Sequence, residues 1–409
     1  MRSTGARPPE PTGWRGRRRA RRGGKRRVPL RIAGAVVTAS AVWVAVSLGS
    51  ALAAPGSDSI AAKTAEWARD HHLGIVVGSL EKVQYQASPP RVGGTPAAGE
   101  LQQLPPAQNR TPAPTGTATG APRTPAPGRP AAPPSLHAPL RPLVTPALSG
   151  EGVFRAAVTS RGLPVLQYAY MRPDPVHTSY LDGVVWIDHR AARWVLHPGY
   201  EDPGNLSQWS QKDLVPVADR ADLLATFNGG FKTNESRGGF YENGHSAGAL
   251  LPDAASLVIY KDGHSDVGSW GTEVSMTPQV SAVRQNLKLM IDHGRIAADL
   301  ENNVRSNWGL TLGGGYAVWR SGVGVTAAGD TIVVMGNALT AKALAALLLD
   351  AGSVRAMEMD INPQWMSFMW YTPGAVPTSP VPHKLVDFRR PADRYFTPTS
   401  RDFFALHLR

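Results

Sequence analysis

The chain has 409 residues, no cysteine and a formal net charge of +12. The missing cysteines exclude disulfides, thiolate catalysis and cysteine-based zinc sites. Residues 1–31 hold twelve Arg and Lys against the single acid Glu10, or +11, which leaves +1 for residues 32–409; a body this close to neutral lacks the basic footprint of phosphate-backbone binding and argues against nucleic acid as a partner.

The basic tail, residues 1–31, leads into Ile32 to Ala54, an uncharged stretch rich in Ala and Val. As a helix it would be roughly 34 Å long, enough for a hydrocarbon core of about 30 Å. The basic side stays cytoplasmic, so the expectation is a single-pass cell-membrane protein, anchored through residues 32–54, with its C-terminal domain extracellular. Ala51-Leu52-Ala53 also reads as a cleavage site, and the alternative is secretion after signal-peptide removal. The length of the leader and of the apolar run favours the anchor.

The juxtamembrane segment, residues 55–87, predicts a short amphipathic helix around Trp67, then a short strand at Ile75-Val76-Val77. The adjacent His71 and His72 between them make a poor metal site, because helical neighbours point about 100° apart. Residues 88–148 are largely Pro, Ala, Gly and Thr, with sixteen of the 36 prolines. Such a segment buries too little apolar surface to offset its ordering entropy, so it predicts a disordered linker.

From residue 149 to 409 the composition suits one globular domain: α+β, sheet-rich and mixed, with packing helices, following the transmembrane helix and the disordered linker. Predicted strands include Gly152 to Thr159, Pro164 to Tyr170, Tyr180 to Ile187, Arg193 to His197, Ala255 to Tyr260, Leu287 to Ile291, Gly315 to Trp319 and Thr331 to Met335. Lys261-Asp262-Gly263 marks a hairpin. Leu344, Leu347, Leu348 and Ala351 follow the helical i, i+3, i+4, i+7 pattern, with Thr340 as N-cap and Gly352 as the stop. Strand, helix, strand from Thr331 to Asp360 then delivers Ala356 to Trp365 to the carboxyl end of a strand, where sites in mixed sheets gather.

That last stretch sets two acids and an amide among apolar residues beside Pro363. If Val354 to Ile361 is extended, Glu358, Asp360 and Asn362 share a face, and the two acids have alpha carbons roughly 6.5 to 7 Å apart. Carboxylates that close push their pKa values apart where water is excluded. A polar strand face that meets solvent fits the same pattern.

Three other runs hold chemistry-bearing residues. Phe227-Asn228-Gly229-Gly230-Phe231-Lys232 ends an apolar strand in an amide and two glycines, which suits close approach to a ligand or a plain hairpin turn. Val283-Arg284-Gln285-Asn286-Leu287 sets three polar side chains between apolar neighbours, as a binding surface or a structural network does. Trp319-Arg320-Ser321-Gly322-Val323-Gly324 places a guanidinium where it would grip a phosphate or pair with a core carboxylate. No dinucleotide, P-loop, zincin or EF-hand fingerprint is present, and no cofactor or metal is predicted.

Phe227 to Phe231, Arg320 to Gly324, Gly329-Asp330 and Met359-Asp360, in that order, resemble the phosphodiester glycosidase family, which includes the lysosomal enzyme that uncovers mannose 6-phosphate by removing N-acetylglucosamine. The resemblance covers residues 150 to 409. Ala356 to Trp365, Val283 to Leu287 and Gly239 to Gly244 resemble an exported actinobacterial branch of it. The resemblance implies hydrolysis of a glycosyl-1-phosphodiester in an α+β domain, with Asn228, Gly229, Gly230, Arg320 and Asp360 in one cleft. Where the family commonly has Asp followed by glycines and a serine, this chain has Asp360-Ile361-Asn362-Pro363.

The expectation is therefore a membrane-anchored hydrolase of a glycan or sugar phosphodiester. Asp360, Glu358 and Arg320 are its catalytic candidates, and Asn228, Gly229, Gly230, Arg284, Asn286 and Asn362 are its substrate-binding candidates. The alternative is a noncatalytic cell-wall glycan-binding module on a stalk.

Overall fold

The computed structural model describes residues 27–97, 99–101, 108–110, 136–301, 308–309 and 314–409. The middle of the predicted linker, residues 111–135, lies outside them. The chain forms two compact units, Met1–Ala54 and Pro55–Arg409. The first holds α1 (Arg27–Ala53), in which Ile32–Ala53 is long and apolar enough to cross a membrane.

The second unit opens with α2 (Ile60–Ala68) and α3 (Gly74–Ala87). Between them the backbone kinks at His71 and His72, the latter at φ +64°, and the chain folds back so that Arg69 pairs with both Glu66 and Glu81. The strand expected at Ile75-Val76-Val77 is instead part of α3. The β-branched run fits either element alone, but Leu73, Val76, Val77 and Leu80 continue it at helical spacing. The tail of the predicted linker also folds with the domain: Leu140 and Val144 are buried, and Leu140 N–H donates to Gly152.

The rest is the expected α+β, sheet-rich domain. Its largest sheet has nine strands, in the order Gln108–Arg110, Arg155–Ser160, Leu163–Met171, Asp182–Ile187, Thr331–Leu339, Val318–Thr326, Ser353–Glu358, Leu289–Asp292 and Arg295–Ile296. Only the first pair is parallel. Two five-stranded antiparallel sheets complete it; one contains Leu223–Asn228 between Phe368–Thr372 and Phe403–Leu408. The Lys261-Asp262-Gly263 hairpin joins Ala255–Tyr260 to Ser265–Ser269 as predicted.

One core joins all three sheets through Met357, Phe227, Trp370, Phe404, Leu257 and Ile259. A second lies where α4 (Ala341–Asp350) buries Leu344, Leu347 and Leu348 with Ile332, Val334 and Ala356. The strand Ser353–Glu358 thus has Ala356 in one core and Met357 in the other, so both of its faces are covered. The strand expected at Gly315 to Trp319 is instead Val318–Thr326, and Gly322 and Gly324 follow Arg320 within it. A Cβ at Gly322 would press on Leu344 and Leu348 of α4.

Thr340 caps α4 by accepting a hydrogen bond from Ala343 N–H at 3.0 Å, and Gly352 follows the helix at φ +99°. Thr340→Ala should therefore cost about 1 kcal/mol in chemical unfolding, without altering ligand binding.

Candidate functional site

The expected crossover is present: Thr331–Leu339 leads through α4 into Ser353–Glu358, and both strands flank Val318–Thr326. Beyond Glu358 the chain stays tied to that central strand through Met359 N–H to Ser321 O at 2.8 Å and Ser321 N–H to Asp360 O at 3.0 Å. Asp360 follows. Its Oδ1 accepts hydrogen bonds from Ile361 N–H at 2.7 Å and Asn362 N–H at 2.8 Å, and Asn362 Oδ1 accepts from Gln364 N–H at 2.9 Å. The amides next to Asp360 therefore point back at its own carboxylate and not outward at a ligand.

Asp360, Ile361, Asn362, Pro363 and Trp365 line a cleft of about 800 Å³ that is also lined by α2, α3, Phe231, Glu235, Trp319 and Arg401. The cation nearest Asp360 is Arg401, at 3.9 Å from its Oδ2. The Arg401 guanidinium also lies 3.7 Å from Glu66 and 3.9 Å from Asp202, and it packs over the Trp365 ring. It donates to Gly230 O at 3.2 Å, while its buried Nε has no hydrogen-bond partner. Lys232, buried beside it, pairs with Glu66 and with Asp70.

Burial pushes the Asp360 carboxyl up to about 7, against the opposing pull of Arg401 and of the Ile361 and Asn362 amides. Burial also raises Glu235, against Arg401 and Arg69. Glu66 goes the other way. Burial alone would raise it, but Arg401, Lys232 and Arg69 together hold it below the usual carboxylate range. The cleft floor thus has one carboxyl poised near neutrality and one fixed as an anion on the cation pair.

The other predicted residues divide between floor and framework. Glu358 does not share a setting with Asp360: it pairs with Arg320, and the two are 1% and 0% exposed. Arg320 also donates to Leu339 O at 2.9 Å and Tyr316 O at 3.2 Å. Neither residue lines the cleft. The core-carboxylate pairing, one of the two roles open to this arginine, is the one observed, and the strand end separates the two acids that an unbroken alternation would have kept together.

Arg284 is buried against Asp402, donating from Nε at 2.7 Å and Nη2 at 3.2 Å. Asn286 donates to Glu358 O at 2.6 Å and Met359 O at 2.9 Å, and so holds the backbone that carries Asp360. Asn228 donates to Ser321 Oγ at 3.0 Å and accepts from Ser367 N–H at 3.2 Å. A Cβ at Gly229 would collide with the Asp402 carboxylate, and one at Gly230 would meet Asn286 at 3.2 Å. These five residues lie behind the floor as its support. Of the six predicted binding residues, Asn362 is the one that lines the cleft.

Sequence reasoning missed Arg401, Glu235, Glu66 and Arg69. Lys232 stood in the Asn228-Gly229-Gly230 run but was read as flanking sequence. Among the described residues, Asp188, His189 and Asp330 bring ligand atoms within 4.8 Å, as do Glu273, Asp292 and His293. Both groups lie off the cleft, and His189 Nδ1 is already 2.8 Å from Asp330.

The chain matches no protein-family model and no curated protein. Fourteen chains of solved structures are similar to it, among them the following three. One is a hypothetical protein from Synechocystis, at 10% identity over 61% of this chain and 63% of that one, with a TM-score of 0.37. Another is the zebrafish N-acetylglucosamine-1-phosphodiester alpha-N-acetylglucosaminidase catalytic domain auto-inhibited by pro-peptide, at 16% over 62% and 87%, with a TM-score of 0.38. The third is a putative exported protein from Burkholderia pseudomallei, at 14% over 57% and 75%, with a TM-score of 0.28. Likenesses this low assign no activity to the chain.

Proposed function

We propose that the chain is a membrane-anchored hydrolase of glycosyl phosphodiesters, facing the outside of the cell, with Asp360 acting at the anomeric carbon and Arg401 holding the phosphate. The observation that carries this reading is the buried Asp360 carboxyl, raised to about 7, 3.9 Å from Arg401 on the floor of an open cleft. Hydrolysis breaks the bond between the anomeric carbon and the ester oxygen. The electron pair leaves on the phosphate, and water supplies hydroxide to the carbon and a proton to the solvent. A guanidinium at the leaving oxygens stabilises the charge that develops there. Ionised Asp360 serves as nucleophile or as base toward water, and Glu235 is the second titratable acid at the cleft. Arg320 and Glu358 keep the strand end in place.

Glu66 holds the position an anionic substrate would take, since its carboxylate already neutralises Lys232 and Arg401. Glu66→Gln should therefore tighten binding of inorganic phosphate and raise kcat/KM on a sugar-1-phosphodiester about tenfold, a gain of roughly 1.4 kcal/mol. Arg401→Gln should abolish both. Unchanged phosphate affinity in both variants would remove the phosphate from this site.

A second reading, a noncatalytic glycan-binding module, is favoured by one detail: Asp360 Oδ1 is already engaged by two amides of its own loop. On that reading the domain binds sugar phosphodiesters without releasing sugar, and Asp360→Asn leaves the binding intact.

A further inference from the structure

Besides the acid-cation cluster and polar residues such as Gln84, Asn337 and Gln364, the cleft has an apolar wall. Leu73, Val76 and Leu80 of the α3 region line it together with Phe231, Val318 and Trp319. The three aliphatic side chains on the α3 side form one helical stripe, yet they are 44%, 55% and 64% exposed. A stripe of large aliphatics left open beside a buried guanidinium marks a surface that an apolar ligand covers. The arginine supplies the other half of the recognition. Arg401 is buried and lines the same cleft, where Glu66, Asp202 and Asp360 lie 3.7 to 3.9 Å from its guanidinium, so an incoming phosphate competes with these carboxylates for it.

We infer that the cleft takes an amphiphilic phosphodiester, with its phosphate on Arg401 and an alkyl or isoprenoid chain along Leu73, Val76 and Leu80. This rests on the phosphodiester reading and narrows it: the group esterified to the sugar phosphate is a lipid. The sequence is consistent with such a source of substrate, because only residues 54–59 separate α2 from a helix long and apolar enough to cross a membrane.

The test uses the full chain in nanodiscs of digalactosyl diacylglycerol, a lipid without phosphate that cannot compete as a phosphodiester, with empty nanodiscs subtracting partition into lipid. The probes are dimethyl phosphate and hexyl methyl phosphate, each below its aggregation threshold, with binding read by calorimetry. A buried methylene tightens binding about fourfold, so with half of the five added methylenes covered the hexyl diester should bind about 30-fold tighter. Leu80→Asp and Val76→Asp should each cut that ratio to about threefold. Both positions are exposed, so an unchanged Tm will show that the fold is kept. A wild-type ratio near one, with dimethyl phosphate binding still lost in Arg401→Gln, would overturn the lipid and leave the phosphate site standing. A high ratio insensitive to both aspartate variants would overturn the proposed path of the chain. Failure of either diester to bind in an Arg401-dependent way would overturn the phosphodiester reading and the lipid with it.

Discussion

Glu358→Ala is expected to cost about 3–5 kcal/mol in stability, because it leaves the Arg320 guanidinium charged and buried without its carboxylate. Burial raises the Glu358 carboxyl and Arg320 opposes that shift, so the pair holds together only as a unit. Chemical unfolding followed by tryptophan fluorescence reads the loss. The control is the double change Arg320→Met with Glu358→Leu, which removes both charges and replaces them with apolar volume. It should recover most of the lost stability, since a buried ion pair and a well-packed apolar pair are often close in energy. A double variant as damaged as the single one would mean that the pair does more than brace the strand. A single variant within about 0.5 kcal/mol of wild type would contradict the pairing itself.

The second large effect is on pH dependence. If the ionised form of Asp360 acts on substrate, log kcat/KM should rise with pH and level off above about 7, where burial has placed this carboxyl. Stability should run the other way. The unfolded chain gives up this proton near the ordinary value of 3.8, whereas the folded chain keeps it to about 7. Between those values the folded state binds more protons, so the contribution of Asp360 is complete below about 3.8 and is lost as pH rises through about 7. Relative to wild type, Asp360→Asn should therefore gain stability across that window, by up to roughly 4 kcal/mol. Parallel unfolding curves for the two proteins from pH 4 to pH 8 would contradict the raised pKa.

The elements that were legible in the sequence had a period or a cap. The Leu344, Leu347, Leu348 stripe with Thr340 and Gly352 marked α4 closely, and most of the strands expected from apolar runs lie within a few residues of an observed one, but Phe368–Thr372 and Phe403–Leu408 were not expected. The α3 region was misjudged because Ile75-Val76-Val77 read alone satisfies strand propensity, although Leu73, Val76, Val77 and Leu80 carry the helical spacing that could have found it. Asp360 was visible because an acid among methionines breaks the apolar pattern of a buried strand. Its cation was not. Arg401 lies 41 residues further on and is placed by the strand Phe403–Leu408, which pairs with Leu223–Asn228. Glu66 comes from the opposite end of the chain, through a helix that packs on the domain by ion pairs from Asp58 to Arg390 and from Glu66 to Lys232. No local pattern encodes such a meeting. The sequence also left two roles open for Arg320, and the choice depended on the cross-strand partner it meets in the buried sheet.

Asp360 is proposed to carry out sugar release from a glycosyl phosphodiester. This role is tested most directly by measuring free sugar released from a panel of sugar-1-phosphodiesters by the purified wild-type chain and by Asp360→Asn at pH 8. Wild type should turn over at least one diester, and Asp360→Asn should lose at least about a thousandfold while staying folded. Turnover by Asp360→Asn at the wild-type rate would contradict this role.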